Sequence, residues 1–213
     1  MKLTNTQRVK KVVGNLVANP DLIFPYFQAS IFSKKLPIDL EMPWWSFRAI
    51  ERADALMAGK HVFEYGTGGS TLRFAKMAKR IVSVEDHPGW AEVVKKRLAL
   101  EAISNVEIRL RPFDFKSPRG FEGSEYIAAV DDEAWDIVII DGQDWTFKER
   151  IACFRRVEPK MKPDSVIIVD DFWRYEELLQ SNRASRVEIH ESVGPARLGV
   201  TSTAFFFYTA VQK

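Results

Sequence analysis

From residue 61 onward the chain alternates short apolar, β-branched runs with stretches whose apolar residues recur every three or four positions. The runs are His61–Tyr65, Ile81–Glu85, Val106–Leu110, Trp135–Ile140 and Val166–Val169. Their spacing of about 20 to 30 residues leaves room for a crossover helix between parallel neighbours. Positions 137–140 and 166–169 carry no polar residue, the pattern of central strands covered on both faces. Leu72–Ala78, Trp90–Glu101 and Phe147–Val157 read as the intervening helices, with Pro88 and Gly89 before the second and Pro159 and Pro163 after the third. The C-terminal stretch changes character. Arg186–Glu191 and Thr203–Thr209 are strand-like and joined by the Gly- and Pro-containing segment 192–199, a long hairpin signal, so the parallel sheet should end in an antiparallel pair.

Residues 1–58 form a helical preface to this unit (59–213), broken by Pro20, Pro25, Pro37 and Pro43. Val9, Val12, Val13, Leu16 and Val17 recur at helical spacing and predict an amphipathic helix lying on the domain. Lys2, Arg8, Lys10 and Lys11, with no acid before Asp21, faintly resemble the charge of a transit peptide, but no continuous apolar segment accompanies them. The aromatic stretch Leu22–Phe27 and the pair Trp44 and Trp45 either pack on the sheet edge or form a lid or wall for an organic substrate.

With 213 residues, 46% hydrophobic and 28% charged, the chain fits one α/β domain with its own core. Thirty-one Lys and Arg against 29 Asp and Glu leave +2, which argues against nucleic-acid or polybasic-membrane binding on charge alone. The single cysteine, Cys153, excludes an internal disulfide framework and a multi-cysteine zinc site; it reads as a small core residue on a helix. His61, His87 and His190 fall into no Ser/His/Asp or Cys/His arrangement. The longest apolar runs are too short to span a bilayer. A cytoplasmic, enzyme-sized domain is expected, with a homo-oligomer among the options.

The sharpest chemical signal is the segment Phe63–Thr71, directly after the first strand and before a helix. Gly66, Gly68 and Gly69 let backbone approach a ligand closely, and free N–H groups at the helix start can face an anionic group. The third glycine of a dinucleotide fingerprint would fall at position 71, which is Thr71, and Glu64 stands in the mouth of the turn. A carboxylate there suits a ligand carrying an ammonium and a sulfonium, S-adenosylmethionine (SAM), better than a pyrophosphate. Glu85 and Asp86 end the second strand, where a ribose-binding acid belongs, and Asp114, with Phe113 or Phe115, is either a candidate for the adenine ring or part of a plain loop. A nicotinamide-dependent oxidoreductase on a related sheet and a non-catalytic binding scaffold are the competing classes.

These motifs, with Asp136–Gly142 and Val166–Asp171, resemble in order and spacing those of class I SAM-dependent methyltransferases, and the stretch from Pro43 to Thr71 is similar to the start of a group of small-molecule members. The resemblance implies a Rossmann-like three-layer α/β sandwich. Its seven-stranded, mostly parallel sheet would have order 3-2-1-4-5-7-6 with the last strand antiparallel. It also implies cofactor contacts from Glu64, Gly66, Thr67, Gly68, Ser70, Glu85 and Asp86. Ser70 stands where the family pattern has a third glycine.

The acceptor should then lie beside the ends of strands four and five. Asp141 is the candidate catalytic residue, and Asp141, Asp170 and Asp171 could converge on one Mg²⁺, as the ligands of catechol- and caffeoyl-CoA-type O-methyltransferases do. Asp171 replaces the Asn of that set, and Lys148 is the nearest lysine after Asp141. Asp171 is alternatively a cap for a helix beginning near Tyr175, and Trp145 and Trp173 are candidate pocket walls. The fourth strand lacks the motif with which amino-methyltransferases grip a flipped base, so a small organic acceptor, methylated at oxygen, is expected.

Overall fold

The computed structural model describes residues 4–33 and 35–209. Seven strands form one sheet: β1 (His61–Tyr65), β2 (Arg80–Glu85), β3 (Val106–Leu110), β4 (Ile137–Ile140), β5 (Ser165–Val169), β6 (Arg186–Val193) and β7 (Val200–Tyr208). Their order is β3-β2-β1-β4-β5-β7-β6, parallel except for β7, which runs antiparallel to both β5 and β6. The central register sets Phe63 between Val82 and Val138, and Ile167 opposite Phe206. The fold expected from the resemblance is the fold observed.

The helices are α1 (Asn5–Ala18), α2 (Ile23–Tyr26), α3 (Pro37–Leu40), α4 (Phe47–Met57), α5 (Gly69–Ala75), α6 (Pro88–Leu100), α7 (Glu125–Ala128) and α8 (Glu149–Val157). Alternate strand residues serve different layers, as a period of two requires. Val62, Ile81, Ile139, Ile168 and Phe205 pack with residues of α1, α4 and α5, while Phe63, Val82, Ile140, Ile167 and Phe206 pack with α7 and α8. Cys153 of α8 is buried in the second core, where burial pushes its thiol pKa up.

The preface is therefore a structural layer of the sandwich. Ser46 caps α4 by accepting from the Ala49 amide at 3.1 Å and donates to the His190 carbonyl at 2.9 Å. Asn15 of α1 accepts from the Val193 amide at 3.0 Å. Two glycines permit this docking: a methyl group on Gly69 would overlap the Met42 carbonyl, and one on Gly194 the Trp45 carbonyl.

Element ends differ from the sequence reading for local reasons. Gly69 already belongs to α5, so the glycine turn runs straight into its helix. α6 begins at Pro88 because proline suits the first helical position and the His87 ring accepts from the Trp90 amide at 3.1 Å. α8 starts only at Glu149, since Phe147 has a left-handed backbone. Among the described residues no α-helix follows Asp171: two 3₁₀ turns, Phe172–Arg174 and Glu176–Leu179, take its place, and the Asp171 side chain caps neither.

Candidate active site

The carboxyl ends of β1, β2, β4 and β5 open into a cavity of about 890 Å³. This is the crevice in which open α/β sheets hold their ligands. Gly66, with φ +88°, makes the turn after β1, and a side chain there would press on Gly142 after β4, at 3.1 Å from its Cα. The two strand ends can thus lie close enough to share one site. Thr67, Gly68 and Ser70 line the same space.

Glu64 is buried at the base of this turn and accepts from three hydroxyls: Ser70, Thr71 at 2.6 Å and Ser83 at 2.6 Å. Thr71 also accepts from the Gly68 amide at 2.9 Å and, having given its proton to Glu64, from Thr67 at 3.0 Å. Glu64 therefore organises the turn as well as facing the cavity. Serine in place of the third glycine has a reason here, because a glycine could not supply the first of those donors. Burial raises the Glu64 pKa to about 7, the three hydroxyls only partly opposing it.

Glu85, at the end of β2, accepts from the His87 amide at 2.9 Å, and burial lifts its pKa to about 7 as well. Asp86 beside it is shifted upward, again by burial. Both line the cavity, as does Trp90, whose indole N–H donates to the Thr67 carbonyl at 2.7 Å. Asp114 is not brought there. It is exposed, accepts from the Lys116 amide at 3.0 Å within its own turn, and Phe113 and Phe115 pack against Phe121 in the core. The loop after β3 is pulled inward by its phenylalanines, which turns Asp114 outward.

Asp141, Asp170 and Asp171 do line the cavity together. Each carboxylate, however, is already engaged. Asp141 accepts from the Trp45 indole at 2.9 Å and pairs with Arg150 at 3.0 Å; burial raises its pKa. Asp170 accepts from Thr203 at 2.7 Å, and its pKa is raised strongly, by burial first and then by Asp141 and Asp171. Asp171 accepts from Thr201 at 3.0 Å and lies 3.4 Å from Arg174 and 3.5 Å from Arg197. Burial would raise its pKa, but Arg197, Arg150 and Arg174 together bring it below the ordinary value.

This donor set does not fit the expected Mg²⁺. Among the described residues no three His, Cys, Asp or Glu side chains are grouped to hold a metal ion. The positive charge beside the carboxylates comes from guanidiniums instead. Arg150, buried at the start of α8, donates to the carbonyls of Gly142 at 3.0 Å, Asp170 at 2.9 Å and Asp141 at 3.1 Å, knitting the ends of β4 and β5.

The preface supplies the opposite wall through Leu36, Pro37, Ile38, Met42, Pro43 and Trp44. Of the tryptophan pair, Trp45 is buried and Trp44 is exposed at the cavity. Trp145 and Trp173, candidates for pocket walls or for structural packing, are exposed and outside the lining; Trp173 stacks against Arg174. Lys148 is exposed and outside it too. Arg150, Trp90 and Arg197 are site residues that sequence reasoning missed; Trp45, expected to pack on the sheet edge or to wall a substrate, is found holding Asp141. Only Trp90, four residues beyond Asp86, carried a local signal.

The sheet order, the glycine turn after β1 and the acid ending β2 define a class I, Rossmann-like methyltransferase fold. Residues 63–172, more than half of the chain, match the family model described as "Methyltransferase domain", and the protein belongs to that family. No curated protein matches the chain. Among solved structures, an O-methyltransferase of tomaymycin synthesis from Streptomyces achromogenes, in complex with SAM, is 15% identical with a TM-score of 0.58, over 94% of this chain and 99% of the other. A precorrin-6y C5,15-methyltransferase from Geobacter metallireducens is 17% identical with a TM-score of 0.53, over 75% and 87%. An rRNA methylase from Streptococcus thermophilus is 11% identical with a TM-score of 0.55, over 83% and 99%. At such identities the likeness is one of fold.

Proposed function

We propose that the protein transfers a methyl group from SAM to a small organic acceptor, at oxygen, with Asp141 beside the reacting centre. The observation that carries this reading is that the glycine turn, Glu85 and Asp141 open into one cavity with an apolar wall opposite. The lining holds six acidic side chains against the guanidiniums of Arg150 and Arg197, which suits a ligand with a sulfonium and an ammonium. Gly66, Thr67, Gly68 and Ser70 would hold its amino-acid end, and Glu85 and Asp86 its ribose hydroxyls. When bound, SAM supplies an activated methyl carbon and a neutral thioether leaving group.

The chain's own part is alignment and proton handling. Arg150 and Trp45 fix the Asp141 carboxylate from two sides. Burial makes it a stronger base than an ordinary aspartate, so it can take up the proton of an acceptor hydroxyl. No step is assigned to a divalent cation, because Arg150 already pairs with Asp141 and Arg174 and Arg197 with Asp171, while Asp170 accepts from Thr203. A net charge of +2 and a cavity of about 890 Å³ favour a small acceptor over a nucleic acid. No helix among the described residues is long and apolar enough to cross a membrane, and a cytoplasmic site of action belongs to the proposal.

Incubation with methyl-labelled SAM and a panel of small phenols, alcohols, carboxylic acids and amines tests the reading. Label should appear on an oxygen, and Asp141→Asn should lose the transfer while retaining cofactor binding. Label on ribosomal RNA and on no small compound would overturn it.

A further inference from the structure

Half of the large apolar side chains exposed among the described residues, nine of eighteen, lie between residues 9 and 36. On α1 the buried residues are Val12 and Leu16; beside them Val9, Val13 and Val17, each four residues apart, form a stripe left to solvent. The chain then turns through α2 and a π-helical segment, Phe27–Phe32. There Leu22, Tyr26 and Ala29 face the core while Phe24 and Phe32 stand 74% and 79% exposed. Phe27 and Phe32 lie 6.1 Å apart, ring to ring. A soluble domain rarely leaves such a concentration of apolar side chains without a use.

The local charge, rather than the net +2 that argues against a membrane protein as a whole, indicates what covers it. Arg8, Lys10 and Lys11 are exposed on the same helix, Lys35 is exposed beyond the π-helical turn, and no acid precedes Asp21, which is itself paired with Arg48. Aliphatic and aromatic residues flanked by unneutralised cations are the composition of a helix lying in a lipid interface. A second copy of this chain, meeting the patch about a two-fold axis, would set these cations against one another. Nucleic acid fits less well, since Phe24, Phe27 and Phe32 are outnumbered by Val9, Val13, Val17, Ile23, Ile31 and Leu36, aliphatic side chains on which no base could stack.

We infer that α1 and the following turn form a peripheral docking surface for an anionic lipid bilayer. The inference goes beyond methyl transfer and does not depend on it. Leu36 and Pro37 continue from this surface into the cavity lining, so the docked protein would present the cavity's mouth close to the lipid.

Sedimentation of the full chain with vesicles tests this surface. Binding is expected to vesicles of equal parts phosphatidylcholine and phosphatidylglycerol and to be at least about tenfold weaker with phosphatidylcholine alone. Lys10→Glu with Lys11→Glu should weaken it about tenfold or more. Phe24→Ser with Phe32→Ser should abolish it. All four positions are exposed, and each double variant is checked for an unchanged melting curve. Equal binding to neutral and anionic vesicles, or to neither, would overturn the inference. So would a concentration-dependent dimer, or tight binding of a single-stranded RNA, that the phenylalanine variant removes while vesicle binding persists.

Discussion

The indole N–H of Trp45 donates to the carboxylate of Asp141 across 96 residues of sequence, at 2.9 Å. The preface thereby reaches through the cavity wall to orient the acid proposed as the base. Trp45→Phe keeps an aromatic ring in the buried site but removes the donor. Stability should fall by about 1–3 kcal/mol in denaturant unfolding, as for a buried acceptor left short of a partner. Because the indole favours the ionised carboxylate, its loss should raise the Asp141 pKa further and move the acidic limb of the kcat/KM profile to higher pH. An unshifted limb would remove Asp141 from proton handling.

Ser70→Gly restores the family's third glycine and deletes a donor to Glu64. The buried carboxyl should then titrate above about 7, and the protein should lose about 1–2 kcal/mol relative to wild type. Chemical denaturation at several pH values reads both effects.

The glycine contacts predict how firmly the preface is held. Gly69→Ala and Gly194→Ala each force a methyl group against a carbonyl of the Met42–Trp45 segment. Each should cost about 1–3 kcal/mol, as overpacking does, and make residues 37–45 more susceptible to limited proteolysis. A variant as protease-resistant as wild type would show that the preface can shift without loss.

Glu64 and Glu85 titrate near 7 in the folded chain, above the ordinary glutamate value, so both take up protons on folding. Their contribution to stability is complete below about pH 4.5 and is lost as pH rises through about 7. A cationic ligand, which favours the ionised carboxylates, should release protons on binding at pH 7 and raise the melting temperature more at high pH than at low. Calorimetry in buffers of different ionisation enthalpy measures the release, and Glu85→Gln should reduce it.

Arg150 is predicted to carry the ends of β4 and β5. Replacing it by methionine leaves three carbonyls and the Asp141 carboxylate without their donor and should cost about 3 kcal/mol or more. Mg²⁺ and chelators, by contrast, should leave the wild-type melting temperature unchanged.

What the sequence revealed was local. The apolar runs at 137–140 and 166–169 marked central strands because both their faces are covered, and the observed β4 and β5 follow them closely. Glu64, the glycines and Glu85 were legible because strand, turn and helix follow one another within a few residues. Arg150 and Arg197 were not, and Trp45 was legible only as one of an aromatic pair, since their use depends on chain segments that meet only in the fold. Arg150 looks in sequence like Arg155 and Arg156 on the same helix, yet it alone is buried. Three aspartates at two strand ends suggested a metal for the same reason: the partners of Asp141 and Asp171 come from residues 150, 174 and 197, and that of Asp170 from Thr203. Asp114 lies outside the cavity because Phe113 and Phe115 turn into the core, which nothing in its own segment shows.

Calorimetric titration of the wild-type chain and Glu85→Ala with S-adenosylhomocysteine and with NAD tests the central claim most directly. Micromolar binding of S-adenosylhomocysteine, lost in Glu85→Ala, and none of NAD is the predicted result. Binding of NAD without S-adenosylhomocysteine would contradict it.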